Sequence, residues 1–285
     1  MEIGIGLPNT LLDTPGDTIV EWARRAEARG FSSLATIDRI VYPGYDSIVV
    51  LAAAAGATER IRLMPNVLLG PTRDPVILAK EAASLDQVSR GRFILGVAVG
   101  GRKDDFDAVG ASWSDRGKRW DEALETMHRA WKGEPVAGGE FAISPRPTNG
   151  DRVPVLIGGM ADQSIERTLK WGIGWTAGGA PPQAVGPFAE RVRKAWKESD
   201  RDGDPKIVAL SYYSFGQEDV LATNIKSYYG YLGDMADQMV QWLPKDADSI
   251  RQTVKAFEEV GVDELILDPT VPDLEQVDRL ADTIL

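Results

Sequence analysis

The sequence contains no cysteine and a single histidine among its 285 residues. Without thiols the chain has no disulfide bond, no thiolate metal ligand and no cysteine nucleophile, and such a composition is typical of a reducing compartment. One histidine is also too few for a histidine-based metal cluster, and it speaks against a histidine relay. We therefore expect no metal centre.

The chain also has fewer basic than acidic residues. It contains 32 Lys and Arg residues and 43 Asp and Glu residues, so its net charge is −11. This balance argues against nucleic acid or an anionic membrane as the main partner. No apolar run approaches the roughly 20 residues that a membrane helix needs. The opening MEIGIGLPNT has neither the basic region nor the apolar segment of a signal peptide. The sequence predicts a soluble, cytoplasmic protein.

The chain does contain a regular alternation of helix and strand patterns, clearest between Asp74 and Arg102. Asp74 can cap a helix whose apolar residues recur every three or four positions, and Gly91 can end that helix. The apolar run from Phe93 to Val99 is typical of a parallel strand covered on both faces. It leads into Gly100-Gly101-Arg102, where backbone amides and a guanidinium could meet an anion.

The same alternation predicts eight strands along the chain, at 3–7, 33–38, 60–70, 93–99, 155–157, 174–177, 207–215 and 265–267. Such an α/β pattern over about 250 residues is typical of a (β/α)8 TIM barrel. The alternative is a doubly wound open sheet, but no G-x-G-x-x-G follows the first strand. We predict one domain over 1–285, with an insertion near 133–152, such as a hairpin, and extra helices near 218–243.

Barrels of this kind carry their chemistry at the carboxyl ends of the strands. Asp38-Arg39 after the second strand is either a catalytic pair or a plain salt bridge. Pro65-Asn66-Val67 interrupts the third strand, as a bulge or as a cofactor-facing backbone. Gly100-Gly101 and Gly158-Gly159-Met160 both place bare amides at strand ends, the second just before a helix. Two such glycine pairs at one barrel mouth predict a phosphate site.

Three segments in order, RDPVILAKEAASLDQVSRGRFILGVAVGG, RGKRWDEALETMHRAW and PVLIGG, resemble the signature of the bacterial luciferase-like superfamily. Its members are flavin-dependent monooxygenases and coenzyme F-420-dependent oxidoreductases. The resemblance implies a TIM barrel with insertions, a flavin lying across the barrel mouth, and often a homodimer. Asn66-Val67 matches the family's non-prolyl cis peptide, which supports the flavin ring.

The same resemblance implies which residues hold the ribityl and phosphate groups of the cofactor: Gly100, Gly101, Arg102, Arg116, Arg119, Gly158, Gly159, Met160 and Gln163. One position departs from the family pattern. Members often carry Asp-His after the second strand, whereas this chain has Asp38-Arg39, so the histidine base is absent. Arg39 cannot act as a base near neutral pH, although it could stabilise an anionic flavin or substrate.

These patterns predict a flavin-dependent oxidoreductase with Asp38 and Arg39 as candidate catalytic residues. We favour a monooxygenase that uses reduced FMN, delivered by a flavin reductase, on a small organic substrate. The alternative is hydride transfer with coenzyme F-420, which the missing histidine favours. Two further hypotheses are a flavin-binding carrier without turnover and a phosphate-binding barrel enzyme that binds no flavin.

Overall fold

Parallel strands form one continuous ring in a computed structural model that describes residues 1–136 and 138–285. The strands in this part of the chain are β1 (Glu2–Gly6), β2 (Ser33–Thr36), β3 (Arg62–Pro65), β4 (Leu68–Leu69), β5 (Leu95–Ala98), β6 (Val155–Gly158), β7 (Gly174–Thr176), β8 (Lys206–Tyr213) and β9 (Glu264–Pro269). Their order is β3-β2-β1-β9-β8-β7-β6-β5-β4, and every pairing is parallel.

The ring closes through the predicted third strand, which the structure divides into β3 and β4. β3 pairs with β2, and its Leu63 forms a bridge to Phe93 just before β5. β4 continues the same strand position and pairs with β5. Eight strand positions therefore close into a TIM barrel, and the open doubly wound alternative is wrong.

Helices follow the strands around the outside of the barrel. They are α1 (Gly16–Arg29), α2 (Ser47–Ala57), α3 (Pro75–Val88), α4 (Lys103–Ala108), α5 (Arg116–Trp131), α6 (Asp162–Trp171), α7 (Pro182–Lys197), α8 (Glu218–Tyr229), α9 (Asp234–Trp242), α10 (Ala247–Glu259) and α11 (Glu275–Ile284). Asp74 caps α3 as predicted, accepting hydrogen bonds from the N–H groups of Val76 and Ile77. Asp46 caps α2 in the same way, because a carboxylate satisfies donors that the first turn leaves unpaired.

Two stretches differ from the sequence prediction. The described residues of 133–152 contain no strand, so the hairpin is wrong, and residue 137 lies outside the described residues. Pro135, Pro145 and Pro147 lack the backbone N–H that a strand ladder needs, which disfavours strands in this segment. The short helix α4 was not predicted, because six residues are too few for a helical period to be read.

The buried side chains form two clusters. One lies between the barrel and the helices and includes Ile5, Trp22 and Trp175. The other fills the barrel itself with residues such as Met64 and Val208, and continues beyond the strand ends into α8 and α9. The extra helices of 218–243 therefore cover the mouth of the barrel and extend its interior core.

The opposite, amino end of the barrel is closed by an ion-pair network around Glu264, which is fully buried. Its carboxylate accepts hydrogen bonds of 2.6 Å from the hydroxyls of Ser32 and Ser33. Lys206 Nζ lies 2.6 Å and Arg62 Nη2 3.0 Å from the two carboxylate oxygens. Burial alone would raise the pKa of Glu264, but the charges of Lys206 and Arg62 outweigh it and hold the pKa at about 2.

Candidate active site at the barrel mouth

A pocket of about 530 Å³ lies where β5 and β6 end and where α5 and α6 begin. Most of the residues that the sequence assigned to a cofactor line it: Gly100, Gly101, Arg116, Gly158, Gly159, Met160 and Gln163. These residues come from three separate parts of the chain. The barrel brings them together because the carboxyl ends of neighbouring parallel strands meet at one edge.

Glycines shape the wall of this pocket. Gly159 has φ of +105°, and a Cβ placed there would lie 2.9 Å from Ser164 Oγ. A Cβ at Gly158 would lie 3.0 Å from Val67 Cγ1, so a side chain has little room at either position. The helix α6 begins directly afterwards, and Ala161 provides no side-chain cap for it. The N–H groups of its first turn, with the positive end of the helix dipole, are therefore available to an anion.

Arg116 supplies a positive charge to the same pocket. One of its terminal nitrogens donates a hydrogen bond of 2.9 Å to the carbonyl of Trp113, and its guanidinium lies 3.7 Å from the centroid of the Trp113 ring. Its Nε is buried and has no hydrogen-bond partner among the described residues. A buried guanidinium N–H without an acceptor is a costly group that a phosphate oxygen would satisfy.

Two of the predicted arginines lie outside the pocket lining. Arg102 donates a hydrogen bond of 2.8 Å to the carbonyl of Tyr228 in α8 and lies 4.1 Å from the centroid of the Tyr231 ring. Arg119 donates to the carbonyls of Pro71 and Ser112 and pairs with a carboxylate one turn away. Both guanidiniums therefore hold parts of the chain to one another.

Sequence reasoning missed two polar residues of the pocket, Ser164 and Arg167 on α6. Ser164 donates a hydrogen bond to the carbonyl of Gly158, whereas Arg167 is held at 2.6 Å by Asp121 on α5. Their spacing of three on one helix face was a signal in the sequence. This spacing predicts only that the two side chains share a helix face. The sequence prediction of an anion site rested on the glycine pairs instead.

Beside the pocket, the peptide bond between Asn66 and Val67 is cis, which confirms the prediction made from the family resemblance. The Asn66 Oδ1 accepts a hydrogen bond of 2.6 Å from Thr176 Oγ1 on β7. The Nδ2 of the same side chain is buried and has no partner among the described residues. The interruption between β3 and β4 thus carries an amide donor without a partner among the described residues, and the adjacent Val67 side chain lies against Gly158.

Asp38 and Arg39 do not pair with each other. Asp38 accepts a hydrogen bond from the Leu69 N–H at 3.0 Å and pairs with Arg73 at 3.2 Å. Burial raises the pKa of Asp38 above its ordinary value, although Arg73 favours the charged form. Arg39 Nε binds Asp105 at 2.7 Å, so the plain salt bridge within the pair is wrong and each residue belongs to a separate network.

A larger pocket of about 880 Å³ lies on the other side of the mouth, between the end of β8 and helices α9 and α10. Its lining is mostly apolar and includes Leu210, Tyr212, Met239, Trp242 and Phe257. Its shape and lining suit a small organic molecule with few charges.

Other kinds of site find no support in the part of the chain that the structure describes. No group of three His, Asp or Glu side chains there is placed to hold a metal ion. No helix of residues 1–136 and 138–285 has the length and apolar character that crossing a membrane requires.

By its fold, the protein is a TIM barrel whose candidate site lies at the carboxyl ends of its strands. A family model of the luciferase-like monooxygenases then matches residues 1–257, and the chain belongs to this family. An uncharacterized protein of Mycobacterium tuberculosis is 31% identical in an alignment of length 222 that covers 68% of this chain and 76% of that protein.

Solved structures show the same fold at low sequence identity. An F-420-dependent secondary alcohol dehydrogenase superimposes with a TM-score of 0.83 at 18% identity, covering 99% of this chain and 98% of that one. A monooxygenase from Streptomyces bottropensis superimposes with a TM-score of 0.80 at 21% identity, covering 100% and 98%.

Proposed function

We propose that this protein is an oxidoreductase that binds a phosphorylated flavin-type cofactor, with the phosphate in the pocket between β5 and β6. Arg116 carries the proposal, because it lines the same pocket as Gly158 and Gly159 and its buried Nε has no hydrogen-bond partner among the described residues. A phosphate there would accept hydrogen bonds from the first turn of α6 and from the guanidinium. Gly100, Gly101, Met160 and Gln163 would form the rest of the cradle.

The remaining residues of the mouth have roles that follow from their positions. A bound flavin-type cofactor would supply the two-electron chemistry. The Asn66-Val67 segment lies beside Gly158 and would support the ring system, with the free Asn66 amide as a donor. Arg39, whose Nη1 is buried without a partner among the described residues, would stabilise negative charge. The apolar pocket next to Tyr212 would hold the substrate.

The first candidate reaction is oxygenation of a small organic substrate with reduced FMN delivered by a flavin reductase. Membership of the luciferase-like monooxygenase family supports it. The second candidate is hydride transfer with coenzyme F-420. The state of Arg39 favours this second reaction, because the residue after β2 is a guanidinium bound to Asp104 and Asp105 and cannot serve as a base. The one histidine, His128, hydrogen-bonds to its own helix instead.

The test is a parallel titration of the purified protein with FMN, reduced FMN and coenzyme F-420, followed by fluorescence. We expect Arg116→Gln to lower the affinity for the cofactor by about tenfold, which corresponds to about 1.4 kcal/mol of binding free energy. The matched control is Arg129→Gln, on the same helix but with its guanidinium half exposed. Failure of all three ligands to bind would sink the proposal and favour a barrel enzyme without flavin.

Oxygen uptake separates the remaining hypotheses. A monooxygenase with reduced FMN consumes oxygen in a substrate-dependent manner, whereas hydride transfer with coenzyme F-420 proceeds equally well without oxygen. Tight binding of FMN with no substrate-dependent oxygen uptake would instead support a flavin carrier.

A further inference from the structure

The carboxyl group of Asp268 occupies an unusual position at the mouth of the barrel. Asp268 lies near the end of β9, opposite Tyr212 of β8, and is 3% exposed. Its side chain leans over β1, because a Cβ placed on Gly6 would lie only 1.6 Å from the Asp268 Oδ1. Gly6 therefore leaves the space into which this carboxyl group points, toward the barrel axis.

This carboxyl group has no hydrogen-bond partner among the described residues, and its Oδ1 is completely buried. No cation contacts it, and burial raises the pKa of Asp268 well above its ordinary value. An ionised carboxylate in such a place would be costly, so burial without a partner favours the neutral acid form of this group. A neutral carboxyl group carries one O–H donor, and this donor has no acceptor among the described residues.

The surroundings of Asp268 lead toward the substrate pocket. Tyr212 lies opposite Asp268 in the β8–β9 ladder, and its hydroxyl is 2.5 Å from the hydroxyl of Tyr229. Burial raises the pKa of both tyrosines, and negative charge on Asp268 would raise them further. Tyr212 lines the apolar pocket of about 880 Å³ and also a crevice of about 10 Å³ under α8. Asp268 lines neither cavity, and Tyr212, its neighbour across the β8–β9 ladder, is the link between Asp268 and the larger pocket.

A purely structural explanation fits this group poorly. Unpaired buried polar groups cost free energy, and most of those in proteins have a partner. Glu264, on the same face of the same strand, is surrounded by two hydroxyls and two cations. Asp268 lies at the end of the barrel where chemistry is located and lacks all of these.

We propose that Asp268 donates its O–H hydrogen bond to an oxygen atom of an uncharged substrate, a ketone, aldehyde or alcohol, that enters from the apolar pocket past Tyr212. This inference rests on the proposed function for the identity of the active site and adds a substrate-binding residue to that site. Because Asp268 lines neither cavity, the proposal requires the Tyr212 and Tyr229 rings to move when the substrate binds.

The experiment uses infrared difference spectroscopy on the full-length protein, with cyclohexanone as the probe and methylenecyclohexane as its match without oxygen. We expect the wild-type protein at pH 7 to show a carboxylic acid C=O band that is absent in Asp268→Asn. Cyclohexanone should shift this band and methylenecyclohexane should not. Absence of the band, or a band that cyclohexanone leaves unmoved, would overturn the proposal.

Binding affinity provides the second measurement. Asp268→Asn keeps a donor at this position and should hold cyclohexanone within about threefold of wild type, whereas Asp268→Leu should lose at least tenfold, since the donor is gone. Equal affinity in wild type and Asp268→Leu would also overturn the proposal. If Asp268→Leu fails to fold, the spectrum of the wild-type protein decides alone.

The two proposals fail separately. Cofactor binding is measured by titration of each variant, while the infrared band and its ketone-induced shift are measured without cofactor. A protein that binds no flavin-type cofactor but shows the shifted band would refute the proposed function and leave the Asp268 site standing.

Discussion

The two ends of the barrel treat buried carboxyl groups in opposite ways, and strand β9 carries one at each end. Glu264 at the amino end contacts Arg62 and Lys206, and its pKa falls to about 2. Asp268 at the carboxyl end has no partner among the described residues, and its pKa rises. The two residues are four positions apart on the same face, about 13 Å along the strand.

The difference between Glu264 and Asp268 indicates that the amino end of the barrel stabilises the fold, whereas the carboxyl end retains buried polar groups without hydrogen-bond partners. At the amino end, two serine hydroxyls and the charges of Lys206 and Arg62 lie 2.6 to 3.0 Å from the Glu264 carboxylate, although Arg62 Nε has no hydrogen-bond partner among the described residues. At the mouth, the Nε of Arg116, the Nδ2 of Asn66 and the Oδ1 of Asp268 are all buried without a partner in the described residues. In barrels of this class the amino end serves stability and the carboxyl end serves chemistry. Four predictions test this contrast.

The largest expected effect is at the amino end. Glu264→Gln removes the charge between Arg62 and Lys206 and should lower the free energy of unfolding by about 3 kcal/mol. The value lies at the lower end of the range for buried pairs, because both cations keep some contact with water. Urea unfolding measures it. The control is Glu259→Gln, which removes an exposed salt bridge between Glu259 and Lys255, one helical turn apart. It should change the free energy of unfolding by less than about 0.5 kcal/mol.

The same pair should make stability depend on pH. The pKa of Glu264 is about 2 in the folded protein, against an ordinary value of 4.5. Because the folded-state pKa is lowered, the stabilisation is fully present above pH 4.5 and is lost as the pH falls toward 2. The difference in unfolding free energy between wild type and Glu264→Gln, about 3 kcal/mol at pH 7, should therefore shrink between these pH values. A difference independent of pH would contradict the pKa argument.

At the mouth, Gly159→Asp should weaken cofactor binding at least tenfold, about 1.4 kcal/mol or more. The substitution adds negative charge where the phosphate is proposed to bind, and its Cβ would crowd Ser164 Oγ at 2.9 Å. Titration with FMN and coenzyme F-420 measures the loss. The control is Gly203→Asp, since Gly203 also has positive φ, +68°, but lies in an open turn away from the pocket. Unchanged affinity in Gly159→Asp would place the phosphate elsewhere.

The smallest effect sharpens the comparison within β9. Asp268→Leu removes an unpaired polar group from an apolar site and should raise the free energy of unfolding by about 1 kcal/mol, the opposite sign from Glu264→Gln. Urea unfolding of both variants under one condition makes the comparison direct. A loss of more than about 1 kcal/mol in Asp268→Leu would mean that the carboxyl group has a structural role after all.

Much of the fold could be predicted because it depends on local periodicity. The Asp74 cap, the apolar spacing of α3 and the run from Phe93 to Val99 are short-range signals, and each appears in the structure close to its predicted place. The glycine pairs after β5 and β6 were also visible, since a glycine-rich strand end is a local feature. The barrel then brought the two pairs to one pocket, as parallel topology requires.

The side-chain partners could not be predicted, because they come from distant parts of the chain. Arg39 looked like the partner of its neighbour Asp38, but the fold places Asp105 beside it, from a helix too short to predict. The sequence position of Arg102 suggested a phosphate ligand. In the structure its guanidinium donates a hydrogen bond to the carbonyl of Tyr228 in α8, 126 positions further along the chain.

Glu264 and Asp268 mark the same division most clearly. The sequence by itself predicted an apolar strand at 265–267, between the two carboxyl groups, and the structure extends this strand to Glu264–Pro269, so that it includes both. Only the tertiary structure decided their ionisation. Arg62 is 202 positions from Glu264 and reaches it through closure of the barrel, whereas no described residue reaches Asp268. The charge state of a buried carboxyl group depends on the groups around it in space, and local sequence does not encode those groups.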